Sequence, residues 1–168
     1  GYELDNKQIG DTVKFEIIRN KKKIDVVYKV KNSKALIPYE FESKPKYIIF
    51  GGLGFSILTA NYLVKLGGSA RDINLMLYKD QKTDEITQRV VWLQKIFPHK
   101  INRGYYSSAY IVYKVNGIKI KDFNHFVNII DNNKDEYTVI DFIENTKVVL
   151  KTKEARESFE QIKNTFGI

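Results

Sequence analysis

Gly51-Gly52-Leu53-Gly54-Phe55-Ser56-Ile57 is the stretch on which the fold turns. The apolar run Tyr47-Ile48-Ile49-Phe50 precedes it, and Leu58-Thr59 continues it. Glycines free the backbone to converge its N–H groups on one point, which makes a nest for an anion. A strand directly after such a nest offers an edge with which a peptide can pair. Nest and edge together are the means of capturing a chain-terminal carboxylate by strand addition. The alternative is a plain β-turn whose glycines allow close packing. The balance favours a peptide-binding module over a catalytic domain.

Composition sets the limits around that stretch. The 168 residues suffice for one domain, or one domain and part of another. Apolar residues make up 43%, with 11 Tyr and 10 Phe, which is enough for a packed core. No apolar run approaches the ~20 residues of a membrane span. The absence of cysteine excludes disulfides, thiolate chemistry and Cys-based zinc sites. With only His99 and His125 and no His-x-x-His pattern, neither a transition-metal site nor any other cofactor is expected. The net charge of +8 is spread along the chain, and only Arg19-Asn20-Lys21-Lys22-Lys23 is a cluster. That cluster falls at a hairpin turn, so it reads as a solvated turn before it reads as a nucleic-acid contact.

Periodicity supplies the elements. Thr12–Arg19 and Ile24–Lys31 alternate as a hairpin, with Val13, Phe15 and Ile17 on one face of the first strand. Residues 31–46, with two prolines, read as a linker. Strands are expected near Phe55–Thr59, Ile86–Phe97 and Ala109–Val115, the last ending in the turn pair Asn116-Gly117. Asn61–Leu66 reads as a helical turn. Ser69 is expected to cap a helix running to about Asp80, with Ile73, Met76 and Leu77 inward. Asp122 caps a helix with Phe123, Phe126, Val127 and Ile130 on one face, spaced i, i+3, i+4, i+7. Tyr137–Ile143 and Lys147–Lys151 form another hairpin. Thr152 is expected to cap a last helix with the stripe Ala155, Phe159, Ile162 and Phe166.

Several pieces in this order resemble one family. They are Ile37-Pro38, Pro45–Phe55, Tyr62-Leu63, Ile101-Asn102-Arg103-Gly104-Tyr105, Val115–Phe123, Lys134-Asp135-Glu136-Tyr137 and Val148–Ala155. From Ile37 onward the chain resembles the second PDZ domain of Deg/HtrA-type (protease Do-like) serine proteases. Residues 1–36, with Gly10-Asp11-Thr12-Val13 and Ile18-Arg19-Asn20, resemble the closing strands of a preceding PDZ domain. The division implied is 1–36, a linker at 37–46, and the second PDZ domain at 47–168. The fold implied is α+β, a curved antiparallel sheet or partial barrel capped by two or three helices.

The resemblance also assigns a groove between the strand at Phe55–Leu58 and the helix at Asp122–Asp131. The amides of Leu53, Gly54 and Phe55 would hold the carboxylate. Ser56 and Ile57 would pair with the peptide, and Phe55, Ile57 and Ile129 would line the pocket for its last side chain. His125 would accept a hydrogen bond from a Ser or Thr two residues before the peptide end; otherwise it is a helix-surface histidine near Asp122. Many relatives of this branch carry a bulkier residue where this chain has Gly54.

Catalysis is not expected within these residues. No Gly-x-Ser-x-Gly elbow is present, and neither histidine has a nucleophile and acid in a recognisable pattern. Asp84-Glu85 and Asp135-Glu136 read as solvated loop acids. By resemblance, a protease domain precedes residue 1, the partners are peptides or unfolded segments and further copies of the chain, and neither nucleic acid nor membrane is a partner. The same resemblance points to a cell envelope or an organelle. A regulatory module in protein quality control is thus set against a purely architectural domain with an occluded groove, and more weakly against a basic nucleic-acid-binding domain.

Overall fold

The computed structural model describes residues 7–31, 34–41, 44–66, 73–106 and 109–168. They divide into two compact units, 1–34 and 35–168.

The first unit is a single hairpin. Strands β1 (Thr12–Arg19) and β2 (Lys22–Lys29) pair antiparallel, with Arg19 opposite Lys22. Asn20 and Lys21 turn the chain with φ of 53° and 61°, the geometry that matches strand twist in a two-residue hairpin. The second strand therefore starts two residues earlier than its apolar alternation suggests. The register sets Val13, Phe15 and Ile17 opposite Tyr28, Val26 and Ile24, which gathers both apolar sets on one face.

The second unit is α+β. Its strands are β3 (Tyr47–Phe50), β4 (Leu53–Ile57), β5 (Val91–Ile96), β6 (Tyr110–Val115), β7 (Ile118–Lys119), β8 (Tyr137–Phe142) and β9 (Lys147–Lys151). They run in the order β3-β4-β5-β6-β8-β9, with β7 paired to β6, and every pairing is antiparallel. The path is open, so the sheet does not close into a barrel. The helices are α1 (Ala60–Leu66), α2 (Ile73–Met76), α3 (Phe123–Asn132) and α4 (Thr152–Phe166), with a 3-10 turn at Lys100–Asn102.

Strand β5 shows why part of this unit reads as one unbroken apolar run. Val91 and Leu93 enter a core with Phe55, Phe126, Val115 and Ile140. Val90 and Trp92 enter a second core with Leu58, Leu63 and Leu75. Successive side chains of a strand face opposite ways, so a strand covered on both faces loses its polar alternation. Leu36 and Ile37 are buried in the second core. The start of the stretch that reads as a linker is therefore packed structure, bridged to the rest at Ala35 and Lys82.

Helix α3 follows its sequence pattern, with Phe123, Phe126 and Ile130 buried and Asp122 accepting from the His125 amide at 2.8 Å. Three details depart from expectation. Leu75 is buried where Leu77 was expected, and Leu77 is exposed; Ser69 lies outside the described residues. Residues 86–90 are irregular, so β5 starts at Val91. Thr152 is the first residue of α4 and not its cap, because its hydroxyl is 2.9 Å from that of Thr138 in a buried pair bridged by Asn133. The buried stripe of α4 is accordingly Thr152, Ala155, Ser158 and Ile162, and Phe159 is left partly in solvent.

The β3–β4 hairpin is closed by Gly51 and Gly52 alone, with φ of 56° and 78°. Both residues sit in the left-handed region, which side chains with a Cβ adopt at a cost. Space excludes a side chain as well. A Cβ on Gly51 would stand 2.5 Å from Leu150 Cδ1, and one on Gly52 would overlap Asn102 Nδ2 and stand 2.5 Å from the Phe97 carbonyl oxygen. Replacing Gly52→Ala is expected to cost about 3 kcal/mol or more, from backbone strain and overpacking together. Urea denaturation of the variant checks this, and a cost below about 1 kcal/mol would show that the turn is not so confined.

Candidate functional site

Strand β4 carries five of the residues singled out in the sequence. On one side it pairs with β3, Leu53 opposite Phe50, Gly54 opposite Ile49, Phe55 opposite Ile48 and Ser56 opposite Tyr47. On the other it pairs with β5 from Leu53 to Ile57, with a bulge between Gly54 and Phe55. Consecutive amides of a strand point to opposite neighbours. In a two-residue hairpin of this type the flanking pair Phe50–Leu53 is hydrogen-bonded, so the Leu53 and Phe55 amides face β3 and the Gly54 amide faces β5. The expected free edge at Ser56 is thus taken by the chain itself. Ile57 pairs with Val91 of β5, past the last pair with β3.

The polar groups of the turn before β4 are engaged within the chain. The Gly51 amide donates to the Ala155 carbonyl at the start of α4, 3.3 Å away. Asn102 Nδ2 donates to the carbonyls of Gly51 and Phe97, each at 2.9 Å, and Asn102 Oδ1 accepts from the His99 amide at 3.0 Å. The Gly52 carbonyl accepts from the Phe97 amide at 2.7 Å. Asn102 is buried, and all of its amide contacts serve the turn and its surroundings. Gly51 and Gly52 are closely packed, as the alternative reading of this loop requires. Gly54 has a different constraint: a Cβ there would meet the Phe97 ring at 3.3 Å and the Lys95 carbonyl oxygen at 3.4 Å.

Helix α3 lies across the main core from β4. Its Phe126 ring stands 4.9 Å from that of Phe55, which is fully buried and so belongs to the core and not to an open pocket. Ile57 and Ile129 are half-buried at the margin of that core. His125 is the third residue of the helix, and its Nδ1 accepts from the Lys121 amide at 3.2 Å. With Nδ1 used as an acceptor, the neutral ring carries its proton on Nε2, so that nitrogen donates. In this arrangement Nδ1 of His125 is engaged at the start of its own helix.

Other residues hold this arrangement and were not picked out as functional in the sequence. Arg156 of α4 donates from Nη2 to the carbonyls of Ile130, Asp131 and Asn133, at 2.7, 3.0 and 2.9 Å. A guanidinium thus satisfies the open C-terminal carbonyls of α3 and ties α3 to α4. Tyr105 Oη lies 3.0 Å from the Val149 nitrogen and 3.3 Å from its carbonyl oxygen, closing part of the outer edge of β9. Asn102 and Tyr105 both fall within Ile101–Tyr105, so the resemblance marked that segment without revealing its task.

The remaining polar candidates have structural partners. His99 accepts from the Ile101 amide, and its Nε2 lies 3.0 Å from Gln161 Oε1. Asp84 is exposed, and the backbone amides of Thr87 and then Ile86 hold its carboxyl below the ordinary aspartate range. Burial, and then the charge of Glu144, push the Tyr78 phenol up. Among the described residues no three His, Asp or Glu side chains gather as metal ligands would. Nor is any described helix long and apolar enough to cross a membrane.

Comparison with known proteins agrees with this architecture. A PDZ domain family model matches residues 37–168, and the chain belongs to the PDZ domain family. Similar proteins include a Serine protease DegP homolog of Plasmodium falciparum (isolate 3D7), 35% identical over 89% of this chain and 17% of that protein. Two from Arabidopsis thaliana are also similar. Protease Do-like 2, chloroplastic, is 28% identical over 99% of this chain and 28% of its own length. Protease Do-like 4, mitochondrial, is 28% identical over 86% of this chain and 26% of its own length. The chain therefore corresponds to a PDZ portion of Deg/HtrA-type proteins and spans less than a third of the relatives' length.

The turn lock predicts the effect of removing its pin. Asn102→Ala leaves two buried carbonyls and a backbone amide without their partner, and is expected to cost about 2–4 kcal/mol. Equilibrium denaturation reads it, and a change within about 0.5 kcal/mol would assign Asn102 no such role.

Proposed function

We propose that this chain is the non-catalytic PDZ region of a Deg/HtrA-like serine endopeptidase that serves chiefly in assembly, its strand-addition slot being filled by its own β3. The observation that carries this reading is the pairing of β4 on both sides. A ligand that adds to β4 runs antiparallel to it on the flank away from β5, and β3 lies there with that orientation. Displacing β3 would expose Ile49 and Phe50, both buried. At about 1.5–3 kcal/mol for each side chain, a competing peptide loses about 3–6 kcal/mol, or roughly two to four decades of affinity.

The protease domain of the parent protein and the assembly of further copies are part of this proposal. So is the assignment of residues 1–36 to a preceding PDZ domain, which the separation of the β1–β2 hairpin as its own unit supports. Peptide capture is the second reading, with Leu53 to Ile57 as the strand and His125 and Ile129 as the helix side of the groove. The half-buried Ile57 and Ile129 favour it. That reading requires β3 to leave β4 when a ligand binds.

A disulfide separates the two, and the chain has no other cysteine to interfere. Tyr47 and Ser56 are register partners and form a non-hydrogen-bonded pair, whose Cα spacing of about 4.5 Å suits a disulfide. Tyr47→Cys with Ser56→Cys should crosslink on oxidation and stabilise the chain by about 2–3 kcal/mol. The oxidised and reduced forms should sediment alike and bind labelled peptide acids equally weakly. If the reduced form binds such peptides and oxidation abolishes binding, the slot is open in function and the assembly reading fails.

A further inference from the structure

The chain contains a single Asn-Gly pair, Asn116-Gly117, in the turn between β6 and β7. Both residues are left-handed, with φ of 46° and 79°, and Val115 pairs with Ile118 across them. A two-residue turn of this kind accounts for the residue types. It does not account for where the Asn116 side chain goes. The Asn116 Oδ1 accepts from the Val139 amide at 2.7 Å, and the Asn116 backbone amide donates to the Val139 carbonyl at 2.8 Å. The side-chain carbonyl thus stands in for a main-chain one and continues the β6–β8 ladder beyond its last pair, Val115 with Ile140. On the other side of the same amide, Nδ2 donates to Asp135 Oδ2 at 2.9 Å and to the Tyr137 carbonyl at 3.3 Å.

Asn-Gly is also a reactive pair. The glycine nitrogen can attack the asparagine Cγ, since glycine has no Cβ to hinder the approach. The new N–Cγ bond forms, the nitrogen gives up its proton to solvent, and the side-chain amide leaves as ammonia. Water then opens the resulting succinimide at either carbonyl, which leaves aspartate or its β-linked isomer, isoaspartate. Gly117 leaves room for the approach, because nothing lies within 4 Å of the position its Cβ would take. The clasp opposes it. With the amide held on β8 through both its oxygen and its nitrogen, Cγ is not free to turn onto the Gly117 nitrogen.

We propose that Asn116 is a deamidation site gated by this clasp: the intact ladder holds the reaction off, and each lasting separation of the turn from β8 lets it proceed. The change is one-way. Aspartate at this position has no N–H to donate and sets a second carboxylate against that of Asp135. Isoaspartate routes the main chain through Cγ and adds a carbon to a turn built for two residues. Neither product restores the clasp. The site involves neither β4 nor a ligand, so it stands or falls apart from the assembly reading.

The full chain is incubated at mildly alkaline pH, digested, and read by mass spectrometry, with isoaspartate and aspartate peptides resolved by chromatography. The reference is the acetylated tetrapeptide amide of residues 115–118. Deamidation at Asn116 in the folded chain should be at least about tenfold slower than in the reference, because it must await a local opening. In concentrated urea the two rates should meet. Asp135 is exposed, and Asp135→Ala should speed the folded chain severalfold by releasing Nδ2. Asp135→Asn keeps an acceptor oxygen and should hold the parental rate. Asn116→Asp, which supplies the product directly, should lower the denaturation midpoint. A folded chain that reacts as fast as the reference overturns the proposal, as does an Asp135→Ala variant no faster than its parent. Equal rates for Asp135→Ala and Asp135→Asn would assign the effect to charge and overturn it too, and an unchanged midpoint for Asn116→Asp would remove the one-way step.

Discussion

The rest of the second unit depends on the two-residue turn at Gly51-Gly52. It is locked by three independent contacts: Asn102 on its carbonyl, the Ala155 carbonyl on its amide, and Leu150 against its Cα side. A turn of this type fixes hairpin register, and register decides which side chains of β4 enter which core. With Leu53 opposite Phe50, Phe55 meets Phe126 in the main core, while Ser56 reaches Gln94 and lies opposite Trp92 in β5. A slip of one residue would exchange these faces. The same lock draws β3 along the flank of β4 and closes it to any other strand.

The outer elements are arranged to hold that lock. Helix α4 contributes Ala155 above the turn and Ile162 beside Ile49 and Phe97. Arg156, one residue further along, gathers the C-terminal carbonyls of α3. The short turn at Lys100–Asn102 exists to present Asn102 inward, with His99 capping it. Function follows from this economy of contacts. In the proposed assembly reading, the flank of β4 that a peptide would use is taken by the strand that precedes it.

Much of the fold was legible in the sequence because it is periodic. The β1 and β8–β9 alternations, the i, i+3, i+4, i+7 spacing of α3 and the Asn116-Gly117 turn all act over short distances. Asn116 also shows the limit of that legibility. Its side chain reaches the Val139 amide at 2.7 Å and Asp135 at 2.9 Å, contacts between residues some twenty positions apart. Thr152 reads as a cap because Thr favours caps, yet a buried hydroxyl pair with Thr138 is what places it. The largest difference concerns the Gly-rich loop itself. A glycine run reads equally well as a ligand nest and as a tight turn, and only the tertiary position of Asn102 and Ala155 decides. The pairing of β4 with β3 was not legible for a related reason: Tyr47–Phe50 reads as apolar and strand-length, but which strand it pairs with is a long-range fact.

Amide hydrogen exchange at Leu53 and Phe55 in the free chain tests the central claim most directly. Both N–H groups face β3, so their exchange reports whether that strand stays in place. The account predicts that they exchange as slowly as Leu93 in β5, through global unfolding alone, and that a peptide acid leaves them unchanged. Exchange far faster than that of Leu93, slowed by adding a peptide acid, would show that β3 vacates the slot and would contradict the account.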